Sequence, residues 1–222
     1  MELTLPSGTP ASITRAESPS RGLVVIPDIW GLRPLFAELT ATLAERTGWT
    51  VICFEPFPGQ DLPGSTDPDG MERRSEAMTR QVDERVLGDA LAAADETGCE
   101  HVGLIGFCMG GMYGFKASAT GRFDRIVSFY GMAHVPDYFD GPGHGDPVEA
   151  LERRGEVQVM TIVGTADPLV PEEHADDLEA AGVVVHRYEG ADHGFVHDAS
   201  RPTHRADDAA DAWDKALRFL GA

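Results

Sequence analysis

Short runs rich in apolar residues alternate along this chain with longer segments in which apolar residues recur at helical spacing. Six such runs are present, at Leu23–Ile26, Thr50–Phe54, Val102–Ile105, Ile126–Phe129, Val157–Val163 and Val183–Tyr188. A short apolar run is typical of a strand that is buried on both faces, as in a parallel sheet. The alternation therefore predicts an α/β fold with a mostly parallel central sheet, helices on both faces and right-handed crossovers.

The segments between these runs predict the helices. Pro34 opens the first helix and Gly48 closes it. Met71–Thr97 carries an apolar stripe that includes Val82 and Val86, so it predicts one long helix. The other helices are predicted at Gly110–Thr120, Pro147–Arg153, Pro171–Ala181 and Thr203–Leu220, and an edge hairpin is predicted at Glu2–Leu5 and Ala11–Arg15.

Composition narrows the class of protein. No repeat, linker or shift in composition divides the chain, so residues 1–222 are expected to form a single domain. The formal net charge is −19, from 18 Lys and Arg against 37 Asp and Glu. This sign argues against a nucleic-acid partner and against docking on an anionic membrane, since both require clustered basic residues.

The cysteines and the first residues bear on the cellular compartment. Only three cysteines are present and none forms a CxxC pair, so neither a disulfide framework nor a zinc site is expected. Residues 1–20 contain no apolar stretch typical of a signal peptide, and the longest apolar runs are too short to span a membrane. A cytoplasmic protein, monomeric or a small homo-oligomer, is the expectation.

A nucleophile motif follows the third buried run. Gly106–Gly111 reads Gly-Phe-Cys-Met-Gly-Gly, which has the form G-x-S-x-G with Cys108 in place of serine. In that motif the nucleophile occupies a strained turn between a strand and a helix, and the glycines keep neighbouring side chains out of the turn. The alternative is an inert buried cysteine, and a glycine-rich dinucleotide site is disfavoured because G-x-G-x-x-G is absent.

An acid and a base follow two later strands. Asp167 comes after the fifth run and His193 after the sixth. Taken singly, Asp167 could be a turn residue and His193 a loop histidine. Together with Cys108 they follow the order nucleophile, acid, base along the chain, which is that of the α/β-hydrolase fold. We therefore expect a Cys108–His193–Asp167 triad.

Each member of this triad has an expected role. His193 would act as general base and acid toward Cys108, while Asp167 would fix the imidazole tautomer. Two backbone amides should form an oxyanion hole. Met109 supplies one of them, and the second should come from the loop 28–31 after the first buried run.

The chain resembles the dienelactone hydrolase family (carboxymethylenebutenolidases) from about Leu23 to the C-terminus. The markers are Pro27–Leu32, the cysteine-containing Gly106–Gly111, Gly164–Pro168 and Gly190–Phe195. The resemblance implies hydrolysis of a small-molecule ester or lactone through an acyl-cysteine intermediate, without a metal or cofactor. It also implies that the amides of Ile29 and Met109 are the oxyanion donors.

The chain departs from the family pattern at two places, Asp28 and His197. Asp28 stands where the family usually has a glutamate that holds the resting thiol, so Asp28 is a candidate for modulating the nucleophile. The family also binds a substrate carboxylate through arginines. Arg73 or Arg74 matches one of these, whereas His197 stands in place of the other.

Three aromatic residues near the strand ends have two interpretations. Trp30, Tyr130 and Phe195 could line the substrate pocket or pack in the core. His193 and His197 are four residues apart, but no accompanying carboxylate spacing supports a metal site.

Two alternatives to the family activity remain open at this stage. One is an acyl or thioester hydrolase outside aromatic degradation. The other is a binding protein that keeps the hydrolase fold with little or no turnover.

Overall fold

A central eight-stranded sheet organises the chain in the computed structural model, which describes residues 1–222. The strands are β1 (Glu2–Thr4), β2 (Pro10–Thr14), β3 (Gly22–Ile26), β4 (Thr50–Phe54), β5 (Val102–Phe107), β6 (Arg125–Phe129), β7 (Gln158–Gly164) and β8 (Val184–Tyr188). Their order is β1-β2-β4-β3-β5-β6-β7-β8, and β3 to β8 are parallel. The predicted mostly parallel α/β architecture is confirmed.

Seven α-helices surround the sheet. They are α1 (Pro34–Thr47), α2 (Gly70–Thr79), α3 (Asp83–Glu96), α4 (Met109–Ala117), α5 (Pro147–Glu152), α6 (Glu172–Ala180) and α7 (Ala206–Leu220). Helix α4 packs on β5 and β6 beside α3 and α5, while α1 packs on β2 and β4. None of these helices is both long enough and apolar enough to cross a lipid bilayer.

The N-terminal hairpin forms at the edge of the sheet, as predicted. Strand β1 pairs antiparallel with β2, and β2 pairs antiparallel with β4. Every residue of β3, β4 and β5 is buried. Each fully buried valine, leucine or isoleucine contributes roughly 1.5–3 kcal/mol through burial, so these strands form a rigid base for the loops at their carboxyl ends.

The prediction of one long helix over Met71–Thr97 is wrong, because the chain breaks between α2 and α3. Val82 is in an extended conformation and its side chain is exposed, so it does not belong to the buried stripe. The side-chain amide of Gln81 donates to the carbonyl of Pro56 at 2.6 Å, and Lys116 donates to Asp83 at 2.8 Å. These contacts with residues distant in sequence stabilise the interruption between α2 and α3. The spacing of apolar residues along the chain does not reveal them.

Two glycines allow α4 to lie directly against the strands. A Cβ atom on Gly106 would lie 2.0 Å from the carbonyl oxygen of Gly110. A Cβ atom on Gly110 would lie 2.2 Å from the carbonyl oxygen of Ile26, at the end of β3. The neighbouring atoms in both cases are backbone atoms, which cannot move aside. This close approach brings the carboxyl ends of β3 and β5 together.

We predict that Gly110→Ala lowers the free energy of unfolding by about 3 kcal/mol, because the added methyl group overpacks the contact with β3. Gly88→Ala is the matched control, since Gly88 lies on the exposed face of α3 with no atom near its missing Cβ. That variant should gain roughly 0.5–1 kcal/mol from reduced chain entropy. Urea unfolding of both variants measures the difference, and equal effects would contradict the close approach.

Candidate active site

Cys108 lies in a strained turn between β5 and α4. Its backbone has φ 53° and ψ −117°, an unfavourable conformation for a residue with a side chain. The amide of Cys108 donates to the carbonyl of Phe129 at 2.9 Å, which ties the turn to the end of β6. The turn leaves Cys108 9% exposed, at the edge of a cavity, and places the N-terminus of α4 beside it. A helix N-terminus stabilises negative charge placed beside it.

Asp167 and His193 are hydrogen-bonded to each other. Asp167 follows β7 and is buried, and its Oδ2 accepts a hydrogen bond of 2.7 Å from Nδ1 of His193. The other oxygen accepts from the amide of Leu169 at 2.8 Å, so the carboxylate cannot rotate freely. This arrangement fixes the proton on Nδ1 and leaves Nε2 available for proton transfer. Nε2 is buried and has no hydrogen-bond partner.

The charge state of His193 depends on Cys108. Burial disfavours the imidazolium, but the negative charge of the Cys108 sulfur and the hydrogen bond to Asp167 prevail and raise the pKa of His193 to about 10. The structure therefore brings Cys108 and His193 together at one cavity, with Asp167 hydrogen-bonded to the imidazole. A histidine held in this way can take up and release a proton beside a cysteine.

The amides of Ile29 and Met109 are free to act as donors. Met109 is the first residue of α4, where the helix provides no acceptor for its amide. The carbonyl of Ile29 accepts a hydrogen bond of 2.7 Å from Nη1 of Arg74, and the amide of Trp30 donates to Asp28 at 3.0 Å. The peptide group that follows Ile29 is thus held at both ends, while the Ile29 amide itself makes no hydrogen bond.

A cavity of about 410 Å³ opens above Cys108 and His193. Its remaining lining residues are Asp28, Ile29, Trp30, Met71, Ser75, Tyr138, Phe139, Leu169 and Arg201. The walls are mainly apolar, and the volume lies within the range of small-molecule sites, which is roughly 300–1,000 Å³. A larger groove of about 770 Å³ lies beside β1 and β2 and contains none of the predicted site residues.

Asp28 borders the cavity, but both of its oxygens are already engaged. They accept hydrogen bonds of 2.6 and 2.9 Å from Arg33, and Oδ2 also accepts one of 2.9 Å from Nε2 of His197. Although burial opposes the charge, the hydrogen bonds from His197 and Arg33 lower the pKa of Asp28 to about 2. Asp28 is therefore charged at neutral pH and paired with Arg33, and it makes no hydrogen bond to Cys108.

Neither predicted arginine faces the cavity. Arg73 is exposed, and its closest polar contact is the carbonyl of Asp61 at 3.4 Å. Arg74 is buried and donates to the carbonyls of Pro63 and Ile29. Its guanidinium therefore stabilises these two loops and is not available to bind a ligand. The expectation that one of them binds a substrate carboxylate does not fit this structure, because backbone carbonyls occupy the guanidinium of Arg74.

Of the three aromatic residues, only Trp30 lines the cavity. Phe195 is fully buried and packs on Tyr130 and Tyr188, with ring centroids 6.0 and 5.2 Å apart. Tyr130 is also fully buried, and its ring meets the His193 ring edge-on at 5.0 Å. His197 lies behind them with a fully buried side chain. These three residues support the site from behind and do not contact the cavity.

Sequence reasoning missed Arg201 as a residue of the cavity. The residue lies in the loop between His193 and α7, and its guanidinium rests against the backbone of Gly194. Its side chain makes no hydrogen bond or ion pair, although the protein carries a charge of −19. Nothing in the local sequence marks Arg201, because the loop has no periodicity that would assign a direction to its side chains.

Comparison with known proteins connects this geometry with a family. A family model described as the dienelactone hydrolase family matches residues 9–222. A candidate carboxymethylenebutenolidase of Synechocystis is 29% identical over 213 residues, covering 89% of this chain and 84% of the relative. The carboxymethylenebutenolidase of Pseudomonas putida is 28% identical over 224 residues, covering 92% and 87%. The structure of a candidate dienelactone hydrolase from Klebsiella pneumoniae superposes with a TM-score of 0.87 at 21% identity, covering 99% and 97%, which shows a common fold.

We predict that the charge of Asp28 stabilises the protein in a pH-dependent way. Because its pKa is about 2 when folded and about 3.9 when unfolded, its contribution is present above about pH 4 and is lost as the pH falls towards 2. The stability advantage of the wild type over Asp28→Asn should therefore shrink by about 2 kcal/mol between about pH 5 and about pH 2.

Urea unfolding across this pH range measures the effect. Asp61→Asn is the control, since Asp61 is exposed and its carboxylate makes no hydrogen bond. A wild-type advantage over Asp28→Asn that stays constant with pH would show that the pairing of Asp28 with Arg33 does not hold in solution.

Proposed function

The chain belongs to the dienelactone hydrolase family and is a hydrolase of carboxylic esters or lactones, and on that premise we propose that Cys108, His193 and Asp167 are its catalytic triad. The observation that carries this proposal is the 2.7 Å hydrogen bond between Nδ1 of His193 and Asp167, which leaves the buried Nε2 without a partner beside Cys108. We further propose that residues 1–222 form a single domain around one hydrophobic core.

The proposed reaction begins with attack by the Cys108 thiolate on the carbonyl carbon of the substrate. A carbon–sulfur bond forms, and the carbonyl electron pair moves to the oxygen, whose negative charge is held by the amides of Ile29 and Met109. When this intermediate collapses, the bond to the alcohol oxygen breaks and the alkoxide takes the proton from Nε2 of His193. The acyl group is then attached to sulfur.

Water completes the reaction. His193 takes a proton from a water molecule, and the hydroxide attacks the thioester carbonyl. Collapse of the second intermediate releases the carboxylic acid and restores the thiolate. In a lactone the alcohol and the acid remain part of one molecule, so the ring simply opens.

The cavity supports a small substrate, and Arg201 supports one that carries a negative charge. The guanidinium of Arg201 has neither an acidic partner nor a hydrogen bond, although the chain has 37 acidic against 18 basic residues, so it is available to a ligand in the cavity. A guanidinium at the wall of an apolar cavity can bind a carboxylate through two parallel hydrogen bonds. We propose that Arg201 binds a carboxylate of the substrate, in place of Arg73, Arg74 and His197.

Cys108→Ala should lower ester and lactone hydrolysis by at least about 1000-fold, because the acyl intermediate can no longer form. The assay is a panel that includes dienelactone and p-nitrophenyl acetate, with mass spectrometry of the acylated protein during turnover. Cys99→Ala is the matched control, since Cys99 is a free cysteine outside the cavity. Full activity in Cys108→Ala would exclude Cys108 as the nucleophile, and stable labelling of Cys108 without turnover would favour a binding protein.

Arg201→Met should weaken hydrolysis of an ester that carries a free carboxylate. We expect kcat/KM for the anionic ester to fall about 10- to 100-fold, the usual loss of a hydrogen bond to a charged group. Hydrolysis of neutral p-nitrophenyl acetate should stay within about two-fold of wild type, since it offers no carboxylate to bind. Arg73→Met serves as the control for removing an exposed arginine. Equal losses on both esters would rule out a carboxylate contact with Arg201.

A further inference from the structure

A chain of hydrogen bonds that the catalytic steps do not use lies behind the active site. Arg33 donates to Asp28, His197 donates to Asp28 through Nε2 at 2.9 Å, and Tyr130 donates its hydroxyl proton to Nδ1 of His197. We call these four residues the relay. His197 is 169 positions from Asp28 and 67 from Tyr130, so the relay links three separate loops.

Burial determines the direction of every hydrogen bond in the relay. Burial lowers the pKa of His197 and raises the pKa of Tyr130, so the imidazole is neutral and the phenol keeps its proton. Nδ1 of His197 must then accept, and Nε2 must donate. The imidazole is held between the rings of Phe36 and Phe107, with centroids 5.6 and 4.8 Å away. The relay therefore has one arrangement of protons and one position for its imidazole ring.

One end of the relay reaches the loop 28–31, which carries the proposed oxyanion donor. The Oδ1 atom of Asp28 accepts from the amide of Trp30 and Arg74 donates to the carbonyl of Ile29, so both contacts hold the Ile29–Trp30 peptide. The amide of Gly31 donates to the carbonyl of Asp28 at 3.0 Å and so holds the preceding peptide, which carries the Ile29 amide. A rotation of the Asp28 carboxylate would release the Trp30 amide and let this short loop shift. The orientation of the Ile29 amide therefore depends on what holds Asp28.

We infer that Tyr130 and His197 are positioning residues that act through Asp28 to hold the amide of Ile29 where the oxyanion forms. This inference rests on the proposed function, because it assigns the Ile29 amide to the oxyanion hole. Arg33 holds Asp28 from the solvent side and His197 holds it from the protein interior. The hydroxyl of Tyr130 donates to Nδ1 of His197 and so holds the imidazole in the position from which Nε2 donates to Asp28.

Tyr130→Phe tests this role with the removal of one oxygen atom. The phenylalanine ring keeps the edge-on contact with His193, so the nucleophile and its base should be undisturbed. Nδ1 of His197 is then buried without a hydrogen-bond donor, so the imidazole is held less firmly against Asp28. The matched control is Tyr113→Phe, because the hydroxyl of Tyr113 is also buried and makes no hydrogen bond.

Two measurements separate the oxyanion hole from the nucleophile. Hydrolysis of p-nitrophenyl acetate requires both, whereas alkylation of Cys108 by iodoacetamide requires the thiolate alone. We expect Tyr130→Phe to lower kcat about 10- to 100-fold, the range for a misplaced catalytic group, with KM within about two-fold of wild type. The alkylation rate and its pH profile should match those of wild type, and Tyr113→Phe should match wild type in both assays.

Two results would overturn the inference. One is a kcat for Tyr130→Phe equal to that of Tyr113→Phe, which would make the relay a purely structural feature. The other is an alkylation rate that falls in step with kcat, which would place the effect at Cys108 and His193. Failure of the proposed function looks different, since Cys108→Ala would then retain activity.

Discussion

The strained turn at Cys108 is the constraint on which the rest of the site depends. A residue with a side chain can hold φ 53° only where its surroundings enforce that conformation. Here the enforcement comes from α4, which lies so close to β3 that no Cβ atom fits on Gly110. The same close approach leaves the amide of Met109 free beside the sulfur. The backbone conformation of Cys108 and the free amide of Met109 are therefore consequences of one packing contact.

A second strained residue supports the site from the neighbouring strand. Tyr130 follows β6 with φ 43°, and its amide donates to the carbonyl of Ile162 at 2.7 Å. Gly111 of α4 lies against Gly131, where a Cβ atom would meet the backbone at 2.8 Å. The ends of β5 and β6 are thus both bent under α4. This geometry places the ring of Tyr130 under His193 and its hydroxyl on His197.

The electrostatics of the site follow from pairing and exposure. Asp28 is charged in a buried position because Arg33 and His197 supply hydrogen bonds that outweigh the cost of burial. With its charge satisfied by Arg33 and His197, Asp28 borders the cavity without making a hydrogen bond to Cys108. Arg201 is unpaired and faces the same cavity. The local field is thus more favourable to an anion than the overall charge of −19 indicates.

The sequence by itself determined the class of fold and the order of Cys108, Asp167 and His193 along the chain. A continuous apolar run indicates a strand that is buried on both faces of a sheet. In a parallel sheet, the residues that follow the strands lie together at one edge. Tertiary structure alone decided the break before Asp83, the partners of Asp28, and which arginine faces the cavity. The physical reason is that hydrogen bonds between residues 67 and 169 positions apart depend on how loops meet in space, and no local spacing encodes that.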